Sequence, residues 1–355
     1  MSPRSAIRRA AVIGTTSWGT TLAVLLARNG LEVGLWARSE EEAARLRADG
    51  ENQRRRPGLR FPPSLSVDSG EHAFEGAQLV VVAVPSHTVR HNLERAGPFV
   101  PPGAAVVSAV KGLEVGSGLR ISEVIAQCLP PLSLGASRPQ GRAEAVCVLS
   151  GPNLSAEVAA GLPAAAVIAC IDLSLAARVQ RAFMAPAFRV YTSGDVVGVE
   201  LAGALKNIFA IGAGLADGLG FGDNAKAALL TRGLAEMTRL GQALGAQPLT
   251  FAGLAGMGDL IATCYSDLSR NHRLGRELAA GRRLDEILRG MDEVAEGVNA
   301  TRVALSLANH AGVEMPIVEM AHRVLFEGLE PRRAVVELML RQPKHELTGI
   351  HRPGG

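Results

Sequence analysis

Lys206 sits within Glu200-Leu201-Ala202-Gly203-Ala204-Leu205-Lys206-Asn207-Ile208-Phe209-Ala210. On a helical wheel, apolar and small residues flank it on every side, so its ammonium cannot easily reach water. Burying an unpaired cation is costly, and burial lowers a lysine's pKa towards the range useful for moving protons. The competing explanation is a structural lysine paired with a carboxylate. Glu200, the carboxylate in the same run, falls on a different face of the helix. The segment therefore reads as a general acid or base.

Two polar groupings further along could serve such a lysine. Gly256-Met257-Gly258-Asp259-Leu260 places a carboxylate on a flexible turn between apolar segments, where an Asp is most often a helix N-cap. Ser269-Arg270-Asn271 opens a helix with a hydroxyl, a guanidinium and an amide together. With the positive end of the helix dipole added, this is a candidate site for a substrate phosphate. Capping explains Ser269 equally well. It does not explain Arg270, since the dipole disfavours a cation in the first turn.

Near the start, Gly14-Thr15-Thr16-Ser17-Trp18-Gly19 follows a short apolar strand and opens a helix. A dinucleotide-binding turn needs its first glycine for the tight bend and its last for close helix packing, and the pyrophosphate rests on the helix N-terminus. Gly14 and Gly19 fit those places; the middle glycine is Thr16. Threonine is stiff at χ1 and cannot swing aside. Either its hydroxyl bonds a phosphate oxygen or its bulk holds the pyrophosphate away, and the first is expected. The second strand ends Leu35-Trp36-Ala37-Arg38, with no acid for a ribose 2′-hydroxyl. Arg38 offers a guanidinium fork suited to a 2′-phosphate, so NADP(H) is expected to be accepted.

These groups need elements to hold them. Apolar runs at residues 10–13, 32–36, 79–84, 104–109 and 146–149 read as buried strands, and residues 20–28 and 40–47 as helices between them. Continuous apolar strands alternating with helices mean a parallel, doubly wound, Rossmann-type sheet. After Gly194 strands vanish, and helices are expected at 196–219, 224–244, 270–280, 300–311 and 316–325. The organisation expected is an α/β domain over 1–193, an all-helical domain over 194–348 and a frayed tail over 349–355. Residues 130–141 read as a Pro/Ser/Gly-rich surface loop.

Composition narrows the function classes. The 355 residues are 47% hydrophobic and 20% charged, and 37 basic against 34 acidic side chains leave a net charge of only +3. That is a folded chain of about two domains and not a disordered one. No basic stripe with interleaved aromatics points to nucleic acid; the Arg54-Arg55-Arg56 run reads as a solvated loop. Cys128, Cys147, Cys170 and Cys264 lie far apart, without metal-ligand spacing, and suit reduced core thiols in the cytoplasm. No metal is expected. The apolar stretch after Arg4, Arg8 and Arg9 is too short for a secretory leader, and Glu200, Lys206 and Asp217 interrupt the most apolar segment, so no membrane span is expected.

Taken in order, the motifs resemble bacterial-type NAD(P)-dependent sn-glycerol-3-phosphate dehydrogenase from about Val12 to Leu340. They are Ser17-Trp18-Gly19-Thr20, Val84-Pro85-Ser86-His87, Lys111-Gly112-Leu113-Glu114, Ser150-Gly151-Pro152, Leu205-Lys206-Asn207, Thr231-Arg232-Gly233-Leu234-Ala235-Glu236-Met237, Gly256-x-Gly258-Asp259-Leu260, Ser269-Arg270-Asn271, Glu296-Gly297 and Gly312-Val313-Glu314-Met315-Pro316. The resemblance implies reversible reduction of dihydroxyacetone phosphate to sn-glycerol 3-phosphate for phospholipid synthesis, with NAD(H) or NADP(H) as cofactor and a homodimer as a candidate assembly. It implies Lys206 as catalytic acid/base. It further implies Lys111, Gly151, Asn153, Lys206, Asp259, Ser269, Arg270 and Asn271 as substrate contacts. Ser17, Trp18, Arg38, Lys111, Ser155, Arg270, Val294 and Glu296 match cofactor contacts, beside the turn glycines Gly14 and Gly19.

Three positions depart from the family pattern. Thr16 replaces the middle glycine, Asn153 stands where Ser or Thr is usual, and Ser155 where Ala is common. Asn153 can still donate a hydrogen bond, so altered affinity is expected rather than lost function. Two other functions compete: a related Rossmann dehydrogenase acting on a 3-hydroxyacid or opine, and a non-catalytic NADP(H)-binding protein.

Overall fold

The computed structural model describes residues 6–129, 145–291, 293–343, 345–346 and 349. The loop expected at 130–141 lies outside the described residues, as does the tail beyond Gly349. Contacts divide the chain into two compact units, Met1–Val110 with Leu119–Val196, and Lys111–Gly118 with Val197–Gly355. The first domain is expected to run through residue 193. In the structure Lys111–Gly118 belongs with the second unit, where Lys111 pairs with Asp259.

The first unit contains strands β1 (Arg9–Ile13), β2 (Glu32–Trp36), β3 (Glu51–Asn52), β4 (Arg56–Arg60), β5 (Leu65–Asp68), β6 (Leu79–Val82), β7 (Ala105–Ser108), β8 (Cys147–Ser150), β9 (Ala164–Ala169) and β10 (Phe188–Ser193). Its helices are α1 (Ser17–Arg28), α2 (Glu40–Asp49), α3 (Val89–Ala96), α4 (Ile121–Cys128), α5 (Ser155–Ala159) and α6 (Leu173–Phe183). Eight strands form one sheet in the order β10-β9-β8-β7-β6-β1-β2-β5, while β3 and β4 pair separately. Every pairing in the large sheet is parallel except β8 with β9, a departure from the all-parallel expectation. Alternate residues feed the two faces: Val12, Leu35, Val81 and Val107 pack on one side. Ile13, Val80, Val82 and Val106 pack on the other. Burial on both faces is why these strands read as unbroken apolar runs. The order places β1 beside β6, at the switch point where such sheets bind ligands.

The second unit holds α7 (Val196–Gly218), α8 (Asp223–Ala243), α9 (Pro248–Phe251), α10 (Asp259–Tyr265), α11 (Arg270–Ala279), α12 (Leu284–Arg289), α13 (Glu296–Ala311), α14 (Pro316–Phe326) and α15 (Pro331–Met339). Among the described residues, α7 is the one helix long and apolar enough to cross a membrane, and 89% of that stretch is buried inside the fold. It is apolar all round because it is a core helix. The expected helices are present with shifted ends. Helix α13 begins at Glu296 instead of 300 because Asn271 Oδ1 of α11 accepts from the Gly297 N–H at 2.9 Å, a cap supplied by another helix. Helix α14 is capped similarly: Glu236 of α8 accepts from the N–H groups of Ile317 and Val318. That role gives the Thr231–Met237 motif an architectural purpose. Helices α9, α10, α12 and α15 span at most nine residues, too short for a clear period.

Helices α7 and α11 touch through glycines. A Cβ on Gly214 would lie 1.9 Å from the His272 carbonyl oxygen, and one on Gly275 would lie 2.1 Å from that of Ile211. This contact brings Asn207 and Asn271 within bonding range (2.9 Å). Gly275→Ala should destabilise the protein by about 1–3 kcal/mol or more, since the clash is with backbone. Urea unfolding measures it; an unchanged midpoint would mean that the helices do not approach this closely.

Candidate active site

In the second unit, Lys206 lies on α7 and is 5% exposed. Its Nζ donates to Asp259 Oδ1 at 2.9 Å and to Thr263 Oγ1 at 2.5 Å. Asp259 Oδ2 accepts from Lys111 Nζ at 2.7 Å, and the Thr263 hydroxyl is 3.2 Å from Asp259 Oδ1. One buried carboxylate thus serves two ammonium groups. An ammonium has three N–H donors, and these contacts use two of those on Lys206.

Asp259 is not on a flexible turn, as the two glycines around it suggested. A single π-helical turn, Leu254–Gly258, runs directly into α10, and Asp259 is the first residue of that helix, 2% exposed. The glycines serve packing: a Cβ on Gly256 would lie 2.0 Å from the Phe251 carbonyl oxygen. Asp259 caps nothing with its side chain. Thr263, one helical turn further on, reaches the same lysine. Its part was not legible beforehand, although the i, i+4 spacing from Asp259 was the available signal.

The charges interact strongly. Burial pulls Lys206 down to about 8, opposed by the Asp259 carboxylate and reinforced by the Lys111 charge. Burial alone would raise Asp259, but the two lysines outweigh it and hold the carboxyl below its ordinary value. The trio is therefore a lysine poised near neutrality beside a carboxylate that stays ionised.

A row of amides fixes this cluster. Asn207 Nδ2 donates to the Lys111 carbonyl oxygen at 3.3 Å, and its Oδ1 accepts from Asn271 Nδ2 at 2.9 Å. Gly297 must be glycine here, since a Cβ would lie 2.6 Å from the Asn207 carbonyl oxygen and 2.8 Å from Asn271 Oδ1. Asn271 is thus an internal brace. Ser269 accepts from the His272 N–H at 3.2 Å and is the cap of α11. Arg270, the cation the dipole should exclude, is held by Glu293 (3.2 Å) and the Val294 carbonyl oxygen (3.1 Å). At 45% side-chain exposure, it is the member of the Ser269–Asn271 group presenting a charge outward. Glu296 opens α13.

In the first unit, Gly14 has φ +117°, and a Cβ there would lie 2.6 Å from Val84 Cγ1. A Cβ on Gly19 would lie 2.1 Å from the Gly14 carbonyl oxygen, so both glycines are sterically required. Thr16 caps α1: its Oγ1 accepts from the Gly19 N–H at 3.0 Å and donates to the Ala83 carbonyl oxygen at 2.7 Å. Without a ligand its proton goes to the Ala83 carbonyl oxygen. Thr16 thus ties the turn to the strand end after β6 in an extended conformation (φ −68°) that needs no glycine. The cap covers Gly19 and not the Trp18 N–H, which leads the helix with Ser17. The Ser17 hydroxyl donates to the Arg55 carbonyl oxygen at 3.0 Å. Ser155 donates to the Ser17 carbonyl oxygen at 3.0 Å, locking α5 to α1. Gly151 has φ +133°, and a Cβ would lie 2.9 Å from the Ala165 carbonyl oxygen. Asn153 Nδ2 donates to that same oxygen at 2.9 Å, while its buried Oδ1 has no partner. What Asn153 holds ready is an acceptor. Arg38 is 70% exposed and lies 3.3 Å from Glu42.

A glycine-built turn on a doubly wound sheet, with a helical unit carrying a buried lysine–carboxylate cluster, is the architecture of a nicotinamide-dependent dehydrogenase. Family models of NAD-dependent glycerol-3-phosphate dehydrogenase match residues 9–176 for its N-terminus and 195–336 for its C-terminus. The chain belongs to that family, NAD(P)-dependent oxidoreductases acting on a CH–OH group. It is 50% identical over 336 residues to a glycerol-3-phosphate dehydrogenase (NAD(P)+) of Geobacter metallireducens, covering 94% of this chain and 98% of that one. It is also 50% identical over 342 residues to one from an Anaeromyxobacter species, covering 96% and 100%. The crystal structure of glycerol-3-phosphate dehydrogenase from Coxiella burnetii superposes with a TM-score of 0.86 at 36% identity, covering 94% of this chain and 99% of that one.

With Lys206 near 8, the two directions of such a reaction must titrate oppositely. Ketone reduction needs the protonated amine, so its kcat/KM should fall as pH rises through about 8. Alcohol oxidation needs the free amine and should fall as pH drops through the same value. Profiles that move together would exclude Lys206 as the titrating acid/base.

Proposed function

We propose that the chain catalyses the reversible NAD(P)H-dependent reduction of dihydroxyacetone phosphate to sn-glycerol 3-phosphate, as the names of its relatives indicate for them. The observation carrying this reading is the Lys206–Asp259–Lys111 cluster: a desolvated lysine with its pKa drawn towards neutrality and a donor beyond those its neighbours use. When bound, the reduced nicotinamide would supply the hydride that reduces the ketone carbon. Gly14 and Gly19 would shape the turn that holds the pyrophosphate, at the N-terminus of α1. The sterically forced cradle is the feature of this chain that fits such a group.

Lys206 gives its proton to the ketone oxygen as alkoxide charge develops, and the C=O becomes CH–OH. Asp259 stays ionised throughout, and Thr263 fixes the ammonium's direction. Lys111 and Arg270 are the cations that suit the substrate phosphate, a role for which a guanidinium fork is well shaped. Ser269 and Asn271 belong to the same substrate-binding helix start while also bracing it, through the α11 cap and the bonds to Asn207 and Gly297, and Asn153 Oδ1 suits a substrate hydroxyl. The product supplies the backbone for glycerophospholipid synthesis. The four cysteines, none of them in a disulfide, support a cytoplasmic setting. A homodimer belongs to the same reading, supported by the exposed apolar Val336, Met339 and Leu340 on and just after α15.

Lys206→Met keeps volume without charge. It should lower kcat for dihydroxyacetone phosphate by at least ~10²–10⁴-fold, because general-acid help and charge stabilisation are lost together. NADPH affinity should stay near wild type by fluorescence titration. Near-normal turnover, or a wild type that prefers 2-oxo acids to the phosphorylated ketone, would overturn the assignment.

A further inference from the structure

The end of β2 holds no acid in sequence, yet the structure brings one there. Glu42, in the first turn of α2, has its side chain 15% exposed. Its Oε1 accepts from the Thr15 hydroxyl at 2.8 Å, which anchors it to the glycine turn after β1. Its Oε2 is buried and has no hydrogen-bond partner. The Arg38 Nε lies 3.3 Å from that oxygen, a charge contact without hydrogen-bond alignment, on a side chain 70% exposed. Arg95 fixes the strand end beneath them: it donates to the Arg38 carbonyl oxygen at 2.7 Å and lies 5.5 Å from the centre of the Trp36 ring.

A buried carboxylate oxygen without a donor carries a desolvation cost that a hydroxyl would relieve. This one sits between the phosphate turn and the end of β2, where dinucleotide folds read the adenosine ribose. We propose that Glu42 and Arg38 form a two-way reader of that ribose, an inference that rests on the cofactor assignment above. With a plain ribose, Glu42 Oε2 accepts from the 2′-hydroxyl. With a 2′-phosphate, Arg38 clamps the phosphate and its charge offsets the repulsion from Glu42. The pair accounts for one chain taking both NAD(H) and NADP(H).

Calorimetric titration with AMP, adenosine 2′,5′-bisphosphate, NADH and NADPH tests this without turnover. Glu42→Gln keeps shape and an acceptor for Thr15. It should weaken AMP and NADH by about tenfold, the value of a charge-assisted hydrogen bond, and leave the two 2′-phosphorylated ligands unchanged or tighter. Arg38→Gln should do the reverse. Equal factors for both ligand classes in Glu42→Gln would reduce Glu42 to a brace of the turn and overturn the proposal. Should Glu42→Gln fail to fold, Glu42→Asp, which withdraws the charge by one methylene, must still weaken NADH more than NADPH; equal weakening overturns the proposal too. Wild type binding neither NADH nor NADPH would instead defeat the cofactor assignment itself, so the two failures are distinguishable.

Discussion

A single buried carboxylate, Asp259, neutralises two ammonium groups, and the second unit is arranged around that constraint. Breaking such a buried pair by removing one partner typically costs about 3–5 kcal/mol, because a charge is left without compensation. The cluster therefore has to be assembled as a whole: Lys206 from α7, Asp259 and Thr263 from α10, and Lys111 from the segment Lys111–Gly118 that leaves the sheet to join the helices. The same desolvation that makes the arrangement costly draws Lys206 down to about 8, where it can give and take a proton.

Precision at this cluster comes from small residues and amides outside it. Glycines at the α7–α11 crossing let backbones touch, and Asn207 and Asn271 hydrogen-bond across the crossing and on to Gly297. The first unit uses the same device differently. Gly14 and Gly19 allow the turn to close on itself, while Thr16 spends its hydroxyl on capping α1 and on Ala83. In both units, residues whose types suggest ligand binding hold the frame on which neighbouring residues act.

Much of this was legible in sequence where one residue type had one physical explanation. Lys206 stood out because an ammonium cannot sit in an apolar helix without purpose, and the runs ending at Ile13 and Val82 are apolar because both faces are covered. Asp259 was harder. A π-helical turn breaks the helical period just before it, so paired glycines looked like a loop. The groups that hold Arg270 against the helix dipole, Glu293 and the Val294 carbonyl, were not legible because they are far off in sequence. The framework bonds of Thr16 and Asn271 were not legible for the same reason: they run to partners that only the fold brings near. Glu42 was invisible because helical geometry, and not strand position, carries it to the end of β2.

Asp259 is the group that keeps Lys206 protonated yet poised. Asp259→Asn preserves shape and removes the charge between the lysines, so the pH dependence of dihydroxyacetone phosphate reduction in this variant is the most direct measurement. Without its counter-charge, Lys206 should lose its proton at lower pH, moving the alkaline limb from about 8 towards acid and lowering kcat, with NADPH binding retained. A limb that stays near 8 at wild-type kcat would contradict the account.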